Sequence, residues 1–258
     1  MRIFALIFAI LFSCNAFSQD AVPFSNALQA PVSDQLKTEL IGSPVFIQIF
    51  KSERILELYA KVGNQFRLLN RFNICKFSGG LGPKRVQGDF KSPEGFYTIG
   101  TSQLHPDSHY YRAINLGFPN QYDRANGYNG SYLMIHGDCV SIGCYAMTNA
   151  GIDQIFKYVT AAFHNGQSQI EVNIYPFRMT DDNMRRYAGS QYINFWKQLK
   201  PGYDYFEKYK QPPVIAVMNN QYVVNSQSNG TVIPHGNPFQ SPAQSTSSKT
   251  FLAFSQTK

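Results

Sequence analysis

A chain of 258 residues, 43% hydrophobic and 15% charged, suffices for one domain with a substantial core plus appendages. Its formal charge of +7 implies attraction to an anionic partner, but no recognition-helix pattern, zinc finger or clustered basic run points to nucleic acid. Aromatic residues reach 15%, with 16 Tyr and 21 Phe, which suits a β-rich body and a groove that contacts sugar or peptide.

In chain order, Met1 to Phe12 is one basic residue followed by an apolar run too short to span a bilayer, and Ala16-Phe17-Ser18 carries small residues at the spacing a signal peptidase reads. Residues 1–18 therefore read as a secretory signal. Leu11 to Cys14 also resembles a lipoprotein box, which would make Cys14 a lipidated N-terminus, although Phe12 fits it poorly. Residues 19–42 form a lead-in with a short helical pattern from Ser33 to Gly42. Three strand-like runs follow, Val45 to Phe50, Ile55 to Val62 and Gln65 to Cys75, the last two flanking Gly63-Asn64 as a hairpin. Gly79 to Pro83 is too rich in glycine for a strand and lacks the Lys-Ser/Thr ending of a phosphate-binding loop, so it reads as a loop bordering a groove. Phe96 to Ile99 and Ala113 to Leu116 supply further strands. Between them Leu104 to Arg112 is polar and aromatic, a candidate wall of a substrate site. Tyr110, Tyr111 and Arg112 there could grip a carboxylate or form an exposed structural cluster. His105 and His109 have no nucleophile near them in sequence and read as surface histidines.

Tyr132 to Ile135 is a short apolar run with a β-branched end, read as a buried strand that delivers His136 at its tip. Eight residues later Gly143 precedes Cys144, and glycine lets the backbone turn tightly enough to present a thiol. A thiol with pKa about 8.5 is mostly protonated at neutral pH, and an imidazole within reach can take its proton and return it to a leaving amine. Met alone, either residue is more often a satisfied core group; together on a strand tip and a Gly-Cys turn they favour catalysis. Thr148 then caps a helix with Ile152, Ile155, Phe156, Val159, Ala162 and Phe163 at helical spacing. Gln169 to Tyr175 alternates as a strand closed by Pro176. Residues 179–224 read as a helical extension, with two or three helices broken at Gly189 and Pro201-Gly202, and a terminal hairpin across Asn219-Asn220. From Asn225 to Lys258 the composition of Ser, Gln, Asn, Gly and Pro reads as a disordered tail.

His136-Gly137 followed by Ser141-Ile142-Gly143-Cys144 resembles the His-Gly, Ser-x-Gly-Cys signature of the YkuD-type L,D-transpeptidases, cysteine enzymes of the bacterial cell wall. Ser78 to Pro83 and Lys91 to Ile99 resemble that family's glycine-rich strand end and its Pro-x-Gly-x-Phe/Tyr-x-Ile segment. Ile74-Cys75-Lys76, Asn115 to Asn120, His136 to Cys139 and Tyr175 to Thr180 are similar to the YafK-like subgroup, and the likeness runs from Ser43 to Val224. It implies a mainly β fold, a catalytic β-sandwich with a few helices over residues 43–178 followed by the helical C-terminal extension. It assigns the nucleophile to Cys144, the general base to His136, and the shaping of the turn and oxyanion site to Ser141 and Gly143, with no cofactor and no metal. The implied setting is the periplasm and the implied partner a peptidoglycan stem peptide, attacked at the L-centre carbonyl of diaminopimelate to give a thioester. The subgroup further implies hydrolysis of the amide that joins diaminopimelate to the lysine of an outer-membrane lipoprotein. Forming diaminopimelate cross-links or attaching the lipoprotein is the alternative reaction, and a non-catalytic wall-binding module is the alternative of another class. Where the wider family has histidine two residues before the cysteine and arginine two after, this chain has Ile142 and Ala146, and its loop from His136 to Cys144 is shorter.

Once the signal is removed near Ser18, Cys75, Cys139 and Cys144 remain, an odd count that leaves a thiol over. In an oxidising compartment Cys75 and Cys139 could join and pin the glycine-rich strand end to the loop that carries Cys144. The three cysteines and His136 could instead form a Cys₃His zinc set, but the two tight ligand pairs of such a site are absent.

Overall fold

Strict alternation in Val45 to Phe50 sets the architecture, because it gives one strand two different apolar faces. The computed structural model describes residues 30–225; the secretory signal, Cys14 and the tail from residue 226 onward lie outside the described residues. After α1 (Asp34–Glu39), whose first turn is capped by Ser33 Oγ accepting from Leu36 N–H, come β1 (Val45–Phe50), β2 (Ile55–Val62) and β3 (Gln65–Asn73). Then follow β4 (Gly95–Ile99), a 3₁₀ turn at Thr101–Gln103, β5 (Leu104–Ser108), β6 (Tyr111–Asn115), α2 (Gln121–Ala125), β7 (Met134–His136), β8 (Tyr145–Ala146) and α3 (Asn149–His164). β9 (Ile170–Tyr175), α4 (Asp181–Arg186), α5 (Ile193–Tyr209), β10 (Ile215–Met218) and β11 (Gln221–Val224) complete the described chain.

A five-stranded sheet runs β3-β2-β1-β9-β4, parallel only between β1 and β9, and a four-stranded sheet runs β5-β6-β7-β8, parallel only between β7 and β8. Val45, Ile47 and Ile49 of β1 enter one core with Ile114, Ile135 and Tyr145 of the second sheet and Ile152, Ile155 and Val159 of α3. The intervening Phe46 and Phe50 face the other way, into aromatic clusters completed by α5 through Trp196, Tyr203 and Phe206. This is the mainly β fold expected from the resemblance. No helix among the described residues is long and apolar enough to cross a membrane.

Four local expectations change. The strand expected from Tyr132 begins at Met134, because Tyr132 sits at φ 57° in the left-handed region, where a strand cannot start. Leu104 to Arg112, given no strand in the sequence, contains β5 and the start of β6; β5 is an edge strand, a position where the donor that Pro106 lacks is tolerated. The expected helix break at Pro201-Gly202 does not occur, and α5 continues through both. Asn225, placed in the tail, closes the last hairpin instead, its N–H donating to Val214 O at 2.8 Å. That hairpin turns on Asn219 and Asn220, both with positive φ, the residues such a turn prefers.

Candidate active site

His136 is the last residue of β7, aligned with Ala113 of β6 on one side and Ala146 of β8 on the other. Cys144 stands one residue before β8, so the parallel register carried back one step sets it beside Met134. Residues two apart on a strand share a face, which brings the thiol to the face that bears the His136 ring. The ring is 2% exposed, and its Nδ1 lies 2.6 Å from Gly137 O. A carbonyl only accepts, so Nδ1 carries the proton in the neutral ring and Nε2 is left with its lone pair. Burial pushes the imidazole pKa below 6.5, and the Gly137 carbonyl and Asp138 partly oppose this. Burial thus favours the neutral imidazole, and the contact with Gly137 O favours its proton on Nδ1.

The thiol is the free cysteine of the described residues and donates to Tyr132 O at 3.3 Å. Burial pushes its pKa up, while the Met134 N–H and the nearby Lys84 ammonium pull it down. The directions of both shifts favour the neutral forms, thiol and imidazole, while the Met134 N–H and Lys84 favour the thiolate.

Serines hold the turn. Ser141 Oγ donates to Cys144 O at 2.8 Å, and Ser92 Oγ donates to the same oxygen at 3.4 Å. Gly143, at φ 95°, uses a backbone region that glycine enters freely, and its N–H donates to Ser78 Oγ at 2.7 Å. Ser141 and Gly143 thus both build the turn, but the Gly143 N–H is engaged by Ser78 rather than aimed at an oxyanion. Ser78 Oγ in turn donates to Phe90 O, and Ser78 N–H donates to Ser92 Oγ at 3.2 Å. Beneath them lies a buried ion pair: Lys51 and Glu94 are both 0% exposed and 2.9 Å apart. Lys51 Nζ also donates to Gly82 O and Ser92 O, and Glu94 accepts from Gly82 N–H and Trp196 Nε1–H. All three ammonium protons have acceptors, the condition under which a buried pair is tolerated.

The loop from Gly137 to Gly143 is tied at both ends. A Cβ at Gly137 would lie 2.6 Å from Asn149 Oδ1, 3.0 Å from Tyr111 Cβ and 3.2 Å from Tyr110 O, so only glycine fits behind the histidine. Asp138 N–H donates to Asn149 Oδ1 at 2.8 Å, Cys139 N–H to Met147 O at 3.2 Å, and Cys139 is disulfide-bonded to Cys75 with Cα atoms 5.1 Å apart. Asp138, Cys139, Tyr111, Tyr132 and Phe90 are five of the ten non-glycine residues with positive φ among the described residues. Such conformations cost about 1–3 kcal/mol each and persist where surrounding contacts enforce them; of these five, Tyr132 accepts from the thiol itself.

Phe90, Tyr110, Tyr132, Val140 and Ile142, all in the segments that carry or flank His136 and Cys144, are exposed. The Tyr110 ring lies over His136 with centroids 4.9 Å apart, and its carbonyl accepts from Gly137 N–H. Tyr111 and Arg112 behave differently from a free grip. Tyr111 OH donates to Asp153 Oδ2 at 2.9 Å, and Arg112 Nε lies 2.7 Å from Asp153 Oδ1, an ionic contact without hydrogen-bond alignment. Ala146, at the position where the wider family carries arginine, is a fully buried ladder residue, and Ile142 is 73% exposed. His105 and His109 lie in β5 and in the turn after it; His109 meets Tyr110 ring to ring. Sequence reasoning did not single out Ser92, Lys84 or the Lys51–Glu94 pair. Ser78 lay within the glycine-rich segment, and Ser92 and Glu94 within the Lys91 to Ile99 segment, that carried the family resemblance.

The chain's residues 44–245 match the model of the YkuD L,D-transpeptidase catalytic domain. YafK of Escherichia coli (strain K12), which bears the name of an L,D-transpeptidase, is 58% identical over 234 residues, covering 90% of this chain and 94% of that protein. Among solved structures, the helical cell shape determining protein Pgp2 from Campylobacter jejuni is 18% identical, with a TM-score of 0.42, over 72% of this chain and 80% of that one. The extent of the family match and the identity to YafK place the chain in the YkuD family of L,D-transpeptidases, among its YafK-like members.

Proposed function

We propose that this protein is an exported, periplasmic cysteine enzyme that cleaves the amide between diaminopimelate and the lysine of a wall-linked lipoprotein. The reading is carried by the free Cys144 thiol, which stands one residue before the strand paired with β7, and by the His136 imidazole at the end of β7, whose Nδ1 lies 2.6 Å from Gly137 O. His136 Nε2 takes the thiol proton as Cys144 Sγ bonds to the L-centre carbonyl carbon of diaminopimelate. The tetrahedral adduct collapses, the carbon–nitrogen bond breaks, and the imidazolium returns its proton to the departing lysine amine. Water then attacks the thioester, His136 takes its proton, and the carboxyl product leaves as the thiol is restored. Met134 N–H and Lys84 stabilise the thiolate at both stages.

Two features support water as the acceptor. Ala146 is a buried uncharged residue, and Tyr132 and Ile142 are exposed and uncharged, so the turn from Ser141 to Ala146 carries no charged side chain to grip a second peptide. A transpeptidase must also hold that second amine in line. The name borne by YafK favours transpeptidation as the second reading. Incubation with lipoprotein-linked muropeptides and, separately, with free tetrapeptides decides between them. Release of lipoprotein without new cross-links supports the amidase; accumulation of cross-linked dimers overturns it. Full activity retained in both Cys144→Ala and His136→Ala would overturn the mechanism in either form.

A further inference from the structure

A stem peptide carries several carboxylates, and the arginine nearest the histidine cannot serve them freely because Arg112 is held by Asp153. On the other side of the thiol the situation is reversed. The loop after the glycine-rich segment is knotted around Asp89, whose Oδ1 accepts from Lys84 Nζ (2.7 Å) and Lys91 N–H (3.0 Å), and whose Oδ2 accepts from the N–H groups of Arg85 (2.8 Å) and Val86 (3.1 Å). The acid closest in sequence to Arg85 is thus fully committed to other donors. The Arg85 guanidinium is exposed and lies over two rings, 5.8 Å from the Tyr128 centroid and 5.6 Å from that of Tyr192. Lys91 Nζ stands 5.1 Å from the same Tyr192 ring and donates to Gly79 O and Leu81 O. Neither Arg85 nor Lys91 has an ion-pair partner among the described residues.

We propose that Arg85, clamped between Tyr128 and Tyr192, is the anchor for a carboxylate of the stem peptide, with Lys91 as a second positive charge beside it. The inference rests on the peptidoglycan reading above. Aromatic faces fix the guanidinium plane without consuming its donors, so its fork stays available for the bidentate geometry that a carboxylate prefers. The shelf is continuous with the site. Asn129 N–H donates to Arg85 O (3.0 Å) and Ser131 N–H to Gln87 Oε1 (3.2 Å), and the next residue, Tyr132, accepts from the thiol. On the glycine-loop side, Lys91 O would lie 3.6 Å from a Cβ at Gly143. A peptide lying across the thiol would therefore run along this shelf.

The test measures binding apart from turnover. Full-length Cys144→Ala protein is titrated with a disaccharide tetrapeptide muropeptide whose glutamate and diaminopimelate carboxyls are free, and with the same muropeptide amidated at both. Arg85→Gln is expected to weaken binding of the free-carboxyl form by about 10- to 100-fold, the range for a charged hydrogen bond, and to leave the amidated form unchanged. Arg85→Lys is expected to fall between. The rate of Cys144 alkylation by iodoacetamide in Arg85→Gln with Cys144 present should match that of the parent, which excludes a disturbed site. Equal affinity of parent and Arg85→Gln for the free-carboxyl muropeptide overturns the proposal, as does an equal loss for both muropeptides. Carboxylate-dependent binding in Cys144→Ala together with no lipoprotein release by the protein that retains Cys144 would overturn the amidase and leave Arg85 as the anchor.

Discussion

At the residue scale the electrostatics of the pair make a pH prediction with a definite sign. His136 is held below 6.5, mainly by burial, so the base form persists to lower pH than in an ordinary histidine. Cys144 is raised, again mainly by burial, so thiolate is scarce at neutral pH. The rate of iodoacetamide inactivation should keep climbing through the ordinary thiol range, without the plateau at low pH that a preformed thiolate–imidazolium pair would give. The acid limb of kcat/KM should fall below pH 6.5; a limb centred well above it would refute the buried neutral base. His136→Ala should lower kcat by about 10²- to 10⁴-fold, the usual worth of general acid–base catalysis, with KM for the muropeptide changed little. Gly137→Ala should be nearly as damaging, because its Cβ would collide with Asn149 Oδ1 and the Tyr110 backbone and push the strand tip that orients the ring.

At the element scale, α5 shows what pattern reading misses. Pro201 removes one intrahelical donor and Gly202 weakens the helix, and both suggest a break. The helix persists because Gly202 lies against Phe96 of β4, where an added Cβ would sit 2.6 Å from Cζ. Glycine there permits close approach of helix to sheet. Gly202→Ala, which raises helix propensity by about 1 kcal/mol at an ordinary site, is therefore expected to destabilise the protein by about 1–3 kcal/mol, read as a lower urea midpoint. An unchanged or raised midpoint would show that Phe96 yields without cost. The elements legible in advance were those with long, clean periodicity: β1, β2 with β3, α3 and β9. β8 was not, since two residues carry no period, and β5 was masked by Pro106. His136 at a strand tip and Cys144 as a free thiol were legible, because the apolar run before the histidine and the odd cysteine count are local signals. The pairing beneath them was not: Ser92 and Glu94 lie in the Lys91 to Ile99 segment that carried the resemblance, but their meeting with Lys51 depends on β9 standing between β1 and β4, a contact with no local sequence signature.

At the scale of the whole molecule, the buried ion pair joins two strands of the five-stranded sheet to α5 and to the thiol turn. Lys51 extends β1, Glu94 precedes β4, and Trp196 reaches down from α5, while Gly82 and Ser92 carry the connection to the thiol turn. Removing the cation alone leaves a carboxylate with no counter-charge in a site without water contact. Lys51→Met should thus cost about 3–5 kcal/mol, and Lys51→Met with Glu94→Gln should recover part of it. A second buried acid lets global stability be read against pH. Asp123, 1% exposed, anchors α2 by accepting from Tyr97 OH (3.0 Å) and Asn120 N–H (2.9 Å). Burial nevertheless pushes its carboxyl up to about 6 from 3.8, so the folded state holds this proton more tightly than the unfolded chain does. Its contribution is greatest below pH 3.8 and is lost as pH rises through about 6. Asp89 runs the other way. Burial raises its carboxyl, but the Arg85 N–H, the Lys84 ammonium and further backbone donors outweigh this and hold it at about 2, so its contribution is lost as pH falls from 3.8 toward 2. Asp123→Asn keeps the shape of the cap and removes the titration. Between pH 4 and pH 7 the stability of Asp123→Asn relative to the parent should therefore rise with pH, by on the order of 3 kcal/mol for a shift of this size. Parallel urea midpoints at four or five pH values measure that difference directly, and a constant gap would show that Asp123 is ionised in the fold at pH 4 as it is at pH 7.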